Sequence, residues 1–186
     1  TPPRRLRHQI IKCYHITNQQ HKNENYHLII LENQDPNAFA FPGGTIGVTT
    51  GLLELVKGDV ELAFVLGHEL GHFRNRDHLH GLGRALGIGI CYVLVFGGQL
   101  ESDGLSPILL SILEGRHSRH QESKADQFGL KVTFDQYGTT EGFSELFAFL
   151  KEQRNTPKWT AMFATHPAPE DRISMLEVYA EELARE

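Results

Sequence analysis

From Tyr26 to Leu31 the chain reads YHLIIL and from Thr45 to Thr50 it reads TIGVTT, short apolar and β-branched runs that predict strands. Gln9 to Thr17 has the same character and is set apart from the next run by the polar stretch Asn18 to Asn25. After Asp35-Pro36, Asn37 to Phe41 alternates enough for one more short strand, and Pro42-Gly43-Gly44 is a turn. At Gly51 the period changes from that of a strand to that of a helix.

Beyond that point apolar residues recur three and four apart. Asp59 is the expected N-cap of a helix carrying Val60, Ala63, Phe64, Leu66, Leu70 and Phe73. A second, more apolar helix is expected from Leu79 to Leu100. Ser106-Pro107 opens a third, since proline suits the first helical turn, and it should run to about Phe134. Thr139 and Thr140 can cap a fourth, with Phe143, Leu146, Phe147 and Leu150 on its inner face. After Pro169 the series Ile173, Leu176, Val178, Leu183 gives a last helix. No internal repeat interrupts this order. The expected fold class is α+β, a single domain over residues 1–186 that is mainly β over 1–50 and mainly α over 51–186.

Composition narrows the partners. A chain of 186 residues buries about 70% of its unfolded surface as one domain. The net charge of -5 argues against a nucleic-acid partner, and Arg4, Arg5 and Arg7 read as a loose end. Cys13 and Cys91 have no metal-type partner at short spacing and read as free thiols. The run Ala85 to Gly98 falls short of the ~20 residues of a spanning helix, with Arg84 and Glu101 near its ends. It predicts a buried or surface-associated helix, so peripheral membrane contact through residues 85–113 is an expectation. The chain opens at Thr1 rather than methionine, so a leader or anchor removed before it is another, with a cell-envelope location.

Chemistry enters at LGHELGHFRN, Leu66 to Asn75. Two histidines four apart on a helix are neighbours and can grip one ion from a rigid backbone. Glu69 projects beside that ion rather than onto it, where it can take a proton from water. With 11 histidines in the chain, such a motif arises by chance roughly once in 20 sequences, so it needs support. A catalytic zinc wants three protein ligands and an open position. The third is sought in SRHQESKADQFG, Ser118 to Gly129, where Glu122 has Asp126 one turn later on the same face. A carboxylate there can fix the tautomer of a ligand imidazole. His117 and His120 are rivals for the third position, and His78 and His80 read as surface residues.

Four blocks in order, NAFAFPGGTIGVTTGLLE, HELGHFRNRDHL, SRHQESKADQFG and THPAPEDRI, make the chain from about Tyr26 to Ile173 recognisable. It resembles the zinc endopeptidase family that contains the CAAX prenyl proteases and the HtpX-type heat-shock proteases, the gluzincin peptidase family 48. The resemblance implies a zincin-like fold and one zinc per chain, with His68, His72 and Glu122 as ligands. It also implies Glu69 as the base, Asp126 as the buttress of a ligand histidine, and His166 near the metal. Thr165 stands where the family often has serine, and the apolar region between Leu79 and Leu113 is shortened. The chain therefore looks like a relative without spanning helices.

The implied function is a zinc-dependent endopeptidase that hydrolyses peptide bonds through a metal-activated water, with Glu69 as general base. Its partner is an extended or unfolded polypeptide, from misfolded or membrane-associated proteins. Such a substrate can be added to an exposed strand edge, for which Asn37, Ala38 and Phe39 are the candidates. His166 has two competing roles, donor to the developing oxyanion or fourth ligand of a latent form. Arg172 is read chiefly as tying its loop to the helical body, with a substrate contact as the alternative. Two rival readings stand beside the enzyme: a latent or inactive zinc-binding domain with chaperone-like affinity for extended chains, and a zinc-stabilised structural domain.

Overall fold

The computed structural model describes residues 26–41, 44–77, 79, 83, 117–153, 155–166 and 172–185. Three strands, β1 (His27–Leu31), β2 (Ala38–Phe41) and β3 (Thr45–Thr49), precede the helices α1 (Thr50–Leu55), α2 (Asp59–Arg74), α3 (Arg119–Tyr137) and α4 (Phe143–Gln153). A 3-10 turn, Pro157–Trp159, leads into α5 (Thr160–Thr165), and α6 (Arg172–Leu183) closes the order. The architecture is α+β, a small sheet followed by a mainly helical body.

The sheet runs β1-β3-β2, with β3 parallel to β1 and antiparallel to β2. β3 takes the middle because Ile46 and Val48 are apolar enough to be buried in the core. The hairpin into it closes at Gly44, whose φ of 82° suits a residue without a Cβ. Among the described residues β2 pairs with β3 alone, so its outer side is an edge. Thr49 joins three elements through one hydroxyl. It accepts from Asn37 N–H at 2.8 Å, donates to Asn37 O, and caps α1 by accepting from Leu52 N–H. The change of period falls at Gly51 because a Cβ there would lie 2.2 Å from Gln34 O.

α2 is the central element. Every residue from Glu61 to His72 is buried, so this helix is enclosed on all sides. α3 crosses it at backbone contact. A Cβ on Gly67 would stand 2.9 Å from Gly129 Cα, and one on Gly71 would stand 2.8 Å from Ala125 Cα. These small residues bring the carboxylates of α3 within reach of the α2 histidines. The core around them holds Leu52, Leu62, Leu70, Leu130, Phe147 and Leu176.

Several boundaries differ from expectation. The N-cap of α2 is Gly58, and Asp59 is the first helical residue. Glu61 serves the end instead, accepting from Lys57 N–H at 2.6 Å. α3 does not continue from Pro107: Ser118 is extended (φ -74°, ψ 156°) and forms a capping box with Gln121. The helix then runs past Phe134 to Tyr137 and ends on Gly138 at φ 66°. In α6 the inner face is Leu176, Ala180 and Leu183, while Val178 is 59% exposed. The strand expected over 9–17 and, apart from Leu79 and Gly83, the helix over 79–100, with Cys13, Cys91, His78, His80 and the whole 85–113 segment, lie outside the described residues. Among those residues no helix is long and apolar enough to cross a membrane.

Candidate metal centre

Three elements converge on one point. α2 supplies His68, Glu69 and His72, α3 supplies Glu122 and Asp126, and the end of α5 supplies His166. His166 is placed by its own N–H on Met162 O at 2.8 Å and by the neighbouring Thr165 O, which accepts from His117 N–H at 3.1 Å. Donor atoms of His68, His72, Glu122 and His166 all lie within 4.8 Å of one another, and all four residues are buried.

The separations match a tetrahedral ion. Donors at bond lengths of about 2.1 Å stand about 3.4 Å apart on a tetrahedron. Here His68 Nε2 is 3.0 Å from His72 Nε2 and 3.3 Å from His166 Nδ1. Glu122 Oε1 is 3.2 Å from both His72 Nε2 and His166 Nδ1, and Glu122 Oε2 is 3.7 Å from His68 Nε2.

Tautomers give an independent test of fit. His68 donates its Nδ1–H to Asp126 Oδ1 at 2.8 Å, and His72 donates its Nδ1–H to Asp77 Oδ2 at 2.8 Å. With both protons on Nδ1, neutral rings point their Nε2 lone pairs at each other across 3.0 Å. A cation must separate them, either a proton or a metal ion. Burial works against charge on His72, but hydrogen bonds to Asp77 and Glu122 outweigh it and raise the ring to about 9. His68 goes the other way, lowered by burial. Without metal, one proton on His72 therefore does the cation's work. The donor set fits a divalent ion such as zinc.

The carboxylates are kept anionic by their neighbours. Burial opposes charge on Glu122, yet His166, His72 and His68 together hold it far below the usual carboxylate range. Asp126 is likewise held low, against burial, by His68 and Arg172. The Arg172 guanidinium is engaged with both: Nε with Asp126 Oδ2, and Nη1 with Glu122 Oε2, each at 2.6 Å. It ties α6 to the helix that carries the third donor.

Other expected site residues are placed as follows. Glu69 is buried with Oε1 3.5 Å from His166 Nε2, and it lines a recess together with His68 and His166. The recess encloses about 590 Å³, solvent at its opening included, and is walled by Ala38, Phe64, Leu146, Leu150 and Met162. Ala38 thus connects the edge strand to the site. Asn37 is buried, and its side-chain oxygen accepts from Ala38 N–H at 2.9 Å. Phe39 packs on Phe41, ring centres 5.8 Å apart. His120 is exposed on α3. His117 stacks on the His72 ring at 3.9 Å and 15°, and burial with the nearby His72 and His166 lowers it to about 3.

Asp77 was not anticipated. It follows the end of α2, where Arg76 takes a left-handed conformation, φ 57°. Such a backbone costs a non-glycine residue about 1–2 kcal/mol. The turn folds Asp77 back beside His72, and Gln121 Nε2 donates to its other oxygen at 2.8 Å. The available signal was an acidic residue five positions after the second histidine, beyond the helix end.

An α+β body with a His-Glu-x-x-His helix and a buried carboxylate facing both rings brings together donors that could hold a metal ion. The sequence model of peptidase family M48 matches residues 2–180, and the chain belongs to that family. It is 29% identical over 191 residues to a protease HtpX homolog of Thermoanaerobacter pseudethanolicus, which covers 79% of this chain and 64% of that protein. It is 30% identical over 163 residues to the mitochondrial metalloendopeptidase OMA1 of Schizosaccharomyces pombe, covering 84% of this chain and 47% of that protein. A protease HtpX homolog of Thermococcus kodakarensis is 28% identical over 196 residues, covering 83% and 67%. The chain thus spans less than two thirds of the first two of these relatives. Family and relatives support a metalloprotease.

Proposed function

We propose that the chain is a zinc-dependent endopeptidase of the gluzincin type, with a zincin-like site, acting on extended polypeptide. The observation that carries this reading is the set of four mutually close donors, with Glu69 lining the recess beside them. His68, His72 and Glu122 would hold the ion, and zinc held there would supply Lewis acidity to polarise a carbonyl and to make water acidic near neutral pH. Glu69 takes the proton of the attacking water and returns it to the leaving amine. Among the described residues the outer side of β2 has no strand partner, so a substrate can align along it, and Ala38 leads from that edge to the recess. The apolar wall of Phe64, Leu146, Leu150 and Met162 takes a large apolar side chain next to the cleaved bond. Unfolded or membrane-associated proteins, which expose such residues, are the proposed substrates.

The test is Glu69→Gln in zinc-loaded protein, with casein as substrate. Retained zinc with cleavage reduced about 10²–10⁴-fold supports the base assignment. Full activity in a verified zinc-loaded variant refutes it.

A latent form is the second reading, favoured by His166. Its Nδ1 stands among the donors while its Nε2 meets Glu69 Oε1 at 3.5 Å, so one ring can fill the fourth corner and occupy the base. In that state the chain binds extended polypeptide without cutting it. His166→Ala separates the roles. A latch, once removed, gives a gain in cleavage, whereas loss of an oxyanion donor lowers it about 10²–10³-fold.

A further inference from the structure

We propose that Asp77 is a positioning residue for the metal centre, keying His72 through Gln121 to the start of the helix that carries Glu122. The inference rests on the metalloprotease reading and adds to it a second-ligand support that the His-Glu-x-x-His helix does not itself contain.

Four observations carry it. Asp77 is 4% exposed, and both its oxygens are used: Oδ2 by His72 Nδ1 and Oδ1 by Gln121 Nε2, each at 2.8 Å. The Gln121 side chain is in turn used at both ends, because its Oε1 accepts from Ser118 N–H at 2.8 Å in the capping box of α3. The next residue is Glu122. One polar chain, Ser118 to Gln121 to Asp77 to His72, therefore links the cap of α3 to a ring on α2. The left-handed Arg76 backbone turns Asp77 toward His72 and so makes the last link possible. Finally, His117 lies flat on the His72 ring at 3.9 Å, so Asp77 fixes the ring in its plane and His117 covers its face.

The chemistry follows from the acceptor. A carboxylate at Nδ1 leaves the lone pair on Nε2, the atom that faces His68 and Glu122, and increases its basicity toward a metal ion. The two buttresses differ in their own partners. Asp126 shares its charge with Arg172, whereas Asp77 is held by a neutral amide and keeps more of its charge for the ring.

Zinc affinity, read by competition with a chromophoric chelator, gives the test without reference to catalysis. Asp77→Ala should weaken zinc binding about 10–100-fold. In the pair Asp77→Asn with Gln121→Glu, the asparagine oxygen still accepts from His72 and its amide donates to the new carboxylate. Every link survives with one polarity reversed while the charge moves one side chain further from the ring, so affinity should recover part of the loss and exceed that of Asp77→Asn alone. Nitrogen NMR of the zinc-loaded parent should show His72 bound through Nε2 with a proton on Nδ1. If Asp77→Ala does not fold, the double variant and this spectrum still decide. Unchanged affinity in Asp77→Ala, failure of the double variant to bind better than Asp77→Asn alone, or coordination through Nδ1 overturns the proposal alone. A parent chain that binds no zinc overturns the metalloprotease reading, and this inference with it.

Discussion

His68 and His72 sit one helical turn apart, and each gives its Nδ1–H to a buried carboxylate at 2.8 Å, yet the two carboxylates arrive by opposite routes. Asp126 comes from a helix 58 residues away and is clamped by the Arg172 guanidinium from α6. Asp77 comes from five residues downstream, round a left-handed turn, and is held by a glutamine amide. One support is a charge network spanning three helices; the other is local backbone geometry with neutral help. The difference teaches where each should fail. Losing a long-range ionic clamp costs folding as well as chemistry, while losing a local support should spare the fold.

The largest effect is expected at Arg172. Arg172→Ala leaves Asp126 and Glu122 buried without their guanidinium, and removal of one partner from a buried pair costs about 3–5 kcal/mol. Urea unfolding of the metal-free chain should show a loss of that order. Asp77→Ala takes one carboxylate from the charged His72 ring but leaves Glu122 Oε1 3.2 Å from it, so its loss should fall to about 1–3 kcal/mol. Equal losses for the two variants would dissolve the contrast.

Proton linkage sharpens it further. In the metal-free protein His72 is raised to about 9 and His68 is lowered, so near neutral pH the first ring is charged and the second is not. Coordination needs the Nε2 lone pair, so the His72 proton must leave. Zinc uptake at pH 7 should then release about one proton, and affinity should fall about tenfold per unit as pH drops below 9. Calorimetry in two buffers of different ionisation enthalpy reads the count. Release of no proton would remove the assignment of charge to His72.

What the sequence made visible follows the range of each contact. The α2 motif and the Glu122–Asp126 pair are i,i+4 relations on helices, which spacing alone reveals. The described strands were legible from short apolar and β-branched runs, and α2 from the length of its apolar stretch, since a helix enclosed on all sides carries little one-sided period. Ser118 and Gln121 carry a capping-box pattern that marks the true start of α3, but the more conspicuous Ser106-Pro107 drew the expected start upstream. Val178 was counted in the apolar series of the last helix, although Ala180 better continues the face set by Ile173 and Leu176. Asp77 stayed hidden for a different reason. Its position depends on one residue's φ, and arginine is not among the residues whose chemistry announces a left-handed turn.

That turn supplies the smallest and most local test. Arg76 is exposed, so its side chain can be exchanged with little loss of packing. Arg76→Gly relieves a left-handed strain of about 1–2 kcal/mol but returns about 0.5–1 kcal/mol of freedom to the unfolded chain. The net change in stability should be a gain of no more than about 1.5 kcal/mol, with zinc affinity unaltered. Arg76→Val should act oppositely, because a β-branched residue resists positive φ. The turn would open, Asp77 would swing from His72, and zinc affinity should fall toward that of Asp77→Ala. His68 should keep its Asp126 hydrogen bond in both variants, visible as an unchanged Nδ1–H signal. If Arg76→Val binds zinc as the parent does, the backbone at this corner is not what brings Asp77 to the ring.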